Sequence, residues 1–353
     1  MVDVLLPILA FLALLIIAAT LIPLFRVGEW WVRIFDFPRV QILTIGAAVA
    51  LGLGYLGFSS ENTLWQWVLI PLIGCLVYQG HRIYFYTMFA PIQALDSKNP
   101  RSEALLSIVV ANVYMNNRNA SAFLDLVYAF SPDVVLVTEP DQWWERQLRG
   151  LESSYPYTIK RPQENTYGML LYSRLKLRNP AVRFLIEDSI PSIFTELELP
   201  MGVVIDFYGL HPRPPHVGQD SEERDAELLT VGREVEHTNR PVVVAGDMND
   251  VAWSYTTSLF QRISRLVDPR LGRGFYNTFH ARYPILRFPV DHVFHSSSFR
   301  LVELKRLPYF GSDHFPMFAV LSYESHQPQA QPPAEDGEDR EKAQELIKKG
   351  KEK

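Results

Sequence analysis

Two stretches near the start of this chain carry no charged residue: Val4 to Phe25 and Val40 to Phe58. Each reaches the roughly 20 residues that a helix needs to cross the hydrocarbon of a bilayer. In lipid a spanning segment must satisfy its own backbone, so such runs are committed to helix before anything else is decided. Leu64 to Gly80 is a third, shorter candidate, with Trp65, Trp67, Tyr78 and Tyr84 as an interfacial rim. Three transmembrane helices are therefore expected within residues 1–90. A cleaved signal peptide is the competing account of the first run, but the run lacks a basic leader, is too long, and is followed by two more. Helices of a soluble core are the competing account of the other two.

Arg26, Arg33 and Arg39 lie between the first two runs, whereas Ser59 to Thr63 carries no cation. The positive-inside rule then places the first loop, and the chain after the third run with Arg82, Lys98 and Arg101, in the cytoplasm. A multi-pass protein of the cell (inner) membrane with a cytoplasmic C-terminal domain is expected. The one cysteine, Cys75, falls in the third run, so neither an intramolecular disulfide nor a thiolate metal site can form. A net charge of −5 gives no global basic signature, which counts against a polynucleotide partner.

Residues 91–104, with Pro100 and several polar side chains, read as a linker. From 105 to 323 strands and helices alternate. Strands are expected at 106–112, 133–137, 168–172, 203–210, 242–245, 290–294, 301–306 and 317–321. Helices are expected at 120–130, 141–151, 221–237 and 257–266, the third opened by a capping-box-like Ser221-Glu222-Glu223-Arg224. This is a mixed α/β domain. Residues 324–353 have too little apolar content to offset the entropy of ordering, so a disordered charged tail is expected, with at most a transient helix at 338–349.

Polar residues recur at the ends of these strands: Asn112, Glu139, His211, Asp247 with Asn249, Asp291 with His292, and Asp313 with His314. Glu139 closes the apolar run Val134-Val135-Leu136-Val137, where packing gives no reason for a carboxylate. Oxygen and amide donors without cysteine suit a hard cation, Mg²⁺ or Mn²⁺. An aspartate that orients an imidazole would suit proton transfer at phosphorus. A zinc site of His211, His292 and His314 is the alternative, without the close spacing of helical zinc motifs. His292 should point away from Asp291 across its strand, and Asp250 reads as a turn residue. Trp143, Trp144 and Trp253 are expected to pack rather than to line a cleft.

In order, the matching elements are Asn112, Thr138-Glu139-Pro140, Tyr167-Gly168-Met169-Leu170-Leu171-Tyr172-Ser173, His211-Pro212-Arg213-Pro214-Pro215, Gly246-Asp247-Met248-Asn249, Pro289-Val290-Asp291-His292-Val293 and Ser312-Asp313-His314. From Leu106 to Leu321 the chain thus resembles the endonuclease/exonuclease/phosphatase superfamily, of deoxyribonuclease I-like fold. The resemblance implies a four-layer α/β/β/α sandwich and a metal-dependent phosphoric ester hydrolase. By it, Glu139 would be the principal Mg²⁺ ligand, supported by Asn112 and Asp313. His314, oriented by Asp291, would face phosphorus; Asp247 would position or deprotonate the attacking water; Asn249 and His211 would donate to phosphoryl oxygens. Two features depart from the pattern of many family nucleases: Tyr114 stands where an acid is common, and Thr138 precedes the glutamate in place of glutamine.

A bilayer beside such a site favours a lipid-linked phosphate as substrate. A membrane-tethered nuclease is the alternative, with Arg262, Arg265, Arg270, Arg273, Arg282 and Arg287 as a candidate basic groove. A non-catalytic binding or scaffold module is the alternative from another class, disfavoured by the intact polar set.

Overall fold

The computed structural model describes residues 2–60, 63–327 and 330–353, with burial assigned from residue 4 onward. Residues 61–62, within the cation-free loop of the topology argument, and 328–329, within the expected tail, lie outside them. Helices α1 (Val2–Leu21), α3 (Arg39–Gly57) and α4 (Leu64–Tyr84) form a bundle, with the short α2 (Trp30–Arg33) between the first two. Ala13, Ile16, Ile42, Val49, Leu53, Trp65 and Leu72 make its seam. Large apolar side chains, among them Phe11, Leu51, Tyr55, Trp67 and Ile70, point outward. Two segments, Val4–Phe25 and Arg39–Gly57, are long and apolar enough to cross a membrane. The expected third does not meet that standard, because Gln66, Gln79, His81 and Arg82 dilute its hydropathy.

The segment between α1 and α3 is clamped onto the C-terminal domain. Arg33 donates to Asp225 at 2.7 Å and to the Thr256 hydroxyl at 2.6 Å, while Arg39 donates to Asp36 at 2.5 Å and Gln79 at 2.9 Å. The Trp253 indole donates to the Asp36 carbonyl at 2.8 Å, and Tyr86 to the Ala252 carbonyl at 2.6 Å. Arg33, Asp36, Arg39, Gln79 and Asp225 are all buried. Two of the three arginines that set the expected orientation are thus neutralised by protein carboxylates. The cytoplasmic assignment loses that support.

The first sheet has the order β10-β11-β1-β2-β4-β3: β1 is Leu105–Asn112, β2 Val134–Thr138, β3 Tyr157–Arg161, β4 Met169–Ser173, β10 Phe299–Arg306 and β11 Met317–Tyr323. The second runs β5-β6-β7-β8-β9: Lys176–Arg183, Ser192–Glu198, Val204–Leu210, Val242–Asp247 and Asp291–His295. Their inner faces share one core, including Ile108, Leu136, Leu171, Phe207 and Val243. Helices α5 (Ala120–Phe130) and α6 (Gln142–Leu148) cover the first sheet, with Trp144 in that layer's core; α7 (Glu222–Glu236) and α8 (Tyr255–Ser264) cover the second. The four-layer α/β/β/α sandwich is as expected.

Several local expectations give way. Strands β3, β5 and β6 carry no clean alternation: β5 is bulged between Arg178 and Ala181 and has a largely exposed face. The linker is packed, with Ala94 buried, Gln93 accepting from the Asp268 amide at 2.8 Å, and the Leu95 carbonyl accepting from the Leu301 amide at 2.8 Å. Among the described residues, the Ser221 side chain forms no cap bond and donates to Asp225 at 3.1 Å instead, helping to hold the acid that Arg33 and Arg224 share. The tail forms α9 (Asp339–Lys351), with Ala343 and Leu346 buried in the core shared with α7 and Asp339 in a two-pronged pair with Arg262. Two apolar residues on one helical face, plus ion pairs that a composition average misses, are enough to order it.

Removing one member of a buried ion cluster leaves an uncompensated charge, so Arg33→Met should cost about 3 kcal/mol. Denaturant unfolding of the detergent-solubilised protein measures it; a midpoint unchanged from wild type would contradict the clamp. Glu227 is fully buried and accepts from the Ser192 hydroxyl at 2.5 Å; burial pushes its pKa up to about 7. In the unfolded chain a glutamate titrates near 4.3, so the folded state holds this proton more tightly. That contribution is full below about pH 4.3 and is lost as pH rises through 7. Glu227→Gln should therefore raise the Tm at pH 8 relative to wild type and reduce its fall from pH 5 to pH 8. An equal fall in both proteins would refute the assignment.

Candidate active site

Five strand ends converge at one rim of the sandwich. Parallel pairing aligns Asn112, at the end of β1, with Thr138, at the end of β2, so Asn112 and Glu139 emerge side by side. Parallel β7 and β8 align Leu210 with Gly246, which brings out His211 and Asp247; antiparallel β8 and β9 set Asp247 against Asp291. Gly246 has φ +146°, and a Cβ there would lie 1.9 Å from the Leu210 carbonyl oxygen. Only glycine lets β8 reach that close. Glu139 and Asn249 adopt left-handed backbone, φ 62° and 50°, a conformation that non-glycine residues hold mainly where the surroundings enforce it.

Asn112 joins the two sheets. Its Nδ2 donates to Glu139 Oε1 at 2.8 Å and to Asp247 Oδ2 at 3.0 Å, while its Oδ1 accepts from the Tyr114 amide at 2.9 Å. The amide nitrogen therefore faces the acids. His314 Nδ1 bonds Asp291 Oδ2 at 2.8 Å, and its Nε2 lies 3.5 Å from Asp247 Oδ2. His211 Nε2 stands 3.9 Å from Asp247 and 4.0 Å from Glu139. The Asn249 amide nitrogen donates to the Pro212 carbonyl at 3.0 Å, and its backbone N–H to Asp247 Oδ1 at 3.0 Å, so it ties the His211 loop to the Asp247 turn.

Burial pushes the Glu139 carboxyl up to about 7 against the pull of Asn112 and the charge of His314. Asp247 is likewise raised by burial, countered by His314. Burial also works against charge on His314, but Asp291 and Asp247 prevail and hold its pKa up to about 10. His211 is pushed down to about 4 by burial and is neutral. One imidazolium and one imidazole thus face two acids. Donor atoms of Asp247, Asp291 and His314 lie within 4.8 Å of one another. The His314–Asp291 hydrogen bond makes that trio a proton-holding relay more than a ligand set. Glu139 is the acid that lacks a cationic partner: among the described residues its ion-pair contact is with neutral His211. A desolvated carboxylate of this kind fits a hard divalent cation.

Asp313 lies close enough for its charge to act on both Glu139 and His314. Its Oδ1 contacts the Ser312 hydroxyl at 3.4 Å, while its charge contributes to the raised pKa of Glu139. His292 points away from the rim, onto Arg270 at 2.6 Å and the Asp250 carbonyl at 2.9 Å, which breaks the alternative zinc set. Asp250 braces the start of α8 through Ser254 and Thr257. Three of the six arginines offered for the alternative nuclease groove are engaged elsewhere. Arg262 pairs with Asp339, Arg270 with Asp268 and Arg273 with Asp96, on separate parts of the surface and interior. Sequence reasoning missed the Met115 amide, 3.4 Å from Glu139 Oε2, and Phe279, whose ring lies 4.9 Å from that of His314. Neither carries a motif; both come from loops.

Fold and rim together define a hydrolase of phosphate esters. The profile of the Endonuclease/Exonuclease/phosphatase family matches residues 109–314, and the chain belongs to that family. Members of this family generally use divalent metal ions. No curated protein matches by sequence. Solved structures share the fold: D. rerio TDP2 complexed with single-strand DNA product (16% identity, TM-score 0.54, 62% of this chain and 99% of that one) and the human Nocturnin catalytic domain with bound sulfate (16%, 0.52, 64% and 96%). An endonuclease/exonuclease/phosphatase from Beutenbergia cavernae is similar at 18% identity and TM-score 0.52, over 63% of this chain and 72% of that one.

Gly246→Ala forces a Cβ into the Leu210 carbonyl and should shift Asp247 away from Asn112. A loss of about 1–3 kcal/mol is expected, the usual cost of forcing added volume into a packed site. Thermal unfolding reads it, and a Tm equal to wild type would show that the rim tolerates a side chain there.

Proposed function

We propose that this chain is a membrane-anchored, Mg²⁺-dependent phosphoesterase, with Mn²⁺ able to substitute, acting on a lipid-linked phosphate. The observation that carries it is the Asn112 bridge between Glu139 and Asp247 beside the His314–Asp291 pair. Glu139 would hold the cation, with Asp313 and Asn112 in support. The bound cation would polarise the phosphoryl oxygens and offset charge developing on them. Asp247 positions the attacking water and accepts its proton. His314, kept protonated by Asp291, faces the phosphoryl group as a donor. His211 and Asn249 complete the wall from which phosphoryl oxygens receive hydrogen bonds.

The anchor is residues 1–90, α1, α3 and α4, whose outward apolar side chains suit lipid better than water. Residues 105–323 form the catalytic domain. The clamp at Arg33 sets that domain on the membrane at the end of the bundle where α1 finishes and α3 begins. Three of the six arginines offered for a nuclease groove, Arg262, Arg270 and Arg273, are taken up by separate ion pairs, which weakens that alternative.

Full-length protein should hydrolyse bis-p-nitrophenyl phosphate or a lipid phosphate with Mg²⁺ or Mn²⁺ and stop in EDTA. Glu139→Gln, Asp247→Asn and His314→Ala should each lower kcat by about 10²–10⁴, the range for losing a positioned acid or base. Preference for single- or double-stranded DNA over lipid phosphates, or full turnover in EDTA, would refute the reading.

A further inference from the structure

An apolar groove of about 460 Å³ lies where the anchor meets the catalytic domain. Trp30, Ile34 and Phe37, from the segment between α1 and α3, form one wall; Pro215 and Val217, then Leu286 and Phe288, form the other. Its size is that of a small-molecule site. We infer that this groove holds the hydrocarbon tail of a membrane lipid whose phosphate ester is cleaved at the Glu139–Asp247–His314 rim. The inference rests on the proposed phosphoesterase reading and adds to it the place and manner in which the lipid substrate is held.

Both domain-side walls lead to the rim. Pro215 belongs to the loop that starts at His211, and Asn249 fastens that loop by its bond to the Pro212 carbonyl. Phe288 pairs through its backbone with Phe279, whose ring lies 4.9 Å from His314's. The groove thus shares its domain-side loops with the rim.

The anchor-side wall leads to the bilayer. Phe37 meets Phe288 edge to face at 5.5 Å, and Gln41, in the first turn of α3, donates to the Ile285 carbonyl at 2.6 Å. Ile285 and Val217 are 80% and 81% exposed, Tyr283 more than half. Water is a poor environment for these side chains, and the headgroup boundary next to α3 is a good one. One side of the groove thus abuts the exposed apolar side chains beside α3, and its other walls belong to loops that also carry His211 and Phe279. Each methylene of a hydrocarbon tail that enters the groove should improve binding about fourfold.

Wild type and Val217→Asp/Leu286→Asp, both in lipid nanodiscs, are compared on butyl and dodecyl phosphate with Mg²⁺. A hexadecyl phosphonate with a terminal diazirine is then photo-crosslinked to each and mapped by peptide mass spectrometry. We expect the dodecyl-to-butyl ratio of kcat/KM to fall at least tenfold in the variant. Labels should fall on residues 30–38, 215–217 and 286–288 of wild type and be lost in the variant. An unchanged ratio, or labels confined to the outer faces of the bundle, overturns the inference. If wild type turns over neither ester nor bis-p-nitrophenyl phosphate, the phosphoesterase reading fails by itself, and the labelling still decides the groove.

Discussion

Two carboxylates from different sheets are held at one point by a single amide. Glu139 and Asp247 would repel each other and separate if both were charged, and burial makes that repulsion stronger. Asn112 Nδ2 donates to both, and the Tyr114 amide fixes the other end of its side chain. The remaining geometry depends on that bridge: Asp247 stands next to His314 only because β8 closes on β7 at Gly246, and Glu139 faces Asp247 only because Asn112 spans the gap. The arrangement leaves a desolvated acid without a cationic side chain to match it. Such an acid suits the divalent ions that members of the family generally use.

A second constraint sets where the rim lies. Arg33 reaches from the anchor to Asp225, which Arg224 also grips; Arg224 continues to the Asn249 carbonyl at 2.8 Å and comes within 3.5 Å of Asp250. A chain of buried charge therefore runs from the segment between α1 and α3 to the turn bearing Asp247. The segment between α1 and α3 and the Asp247 turn are thus held through shared residues. The apolar groove opens at the same junction, between the segment bearing Arg33 and the loops after His211 and before Asp291.

The catalytic strands were legible because apolar runs end abruptly in a carboxylate or amide that packing does not explain, at Asn112, Glu139 and Asp247, or open on one, at Asp291. The edges were not. β5 and β6 owe their pairing to neighbours rather than to alternation, and α9 is ordered by Arg262 and by α7, neither of which a local composition reveals. The orientation argument failed for a related reason. Arg33 and Arg39 look in sequence like free cations beside a membrane span, and their acids, Asp36 and Asp225, become visible as partners only in three dimensions. The groove lay beyond sequence altogether, since its walls come from three segments with no shared motif.

The central claim is that these strand ends form one site for a divalent cation centred on Glu139. Anomalous diffraction from crystals grown with Mn²⁺ tests it most directly. The account requires a manganese peak in contact with the Glu139 carboxylate, on the side facing Asp247. No peak at that carboxylate, with manganese bound elsewhere on the domain, would contradict it.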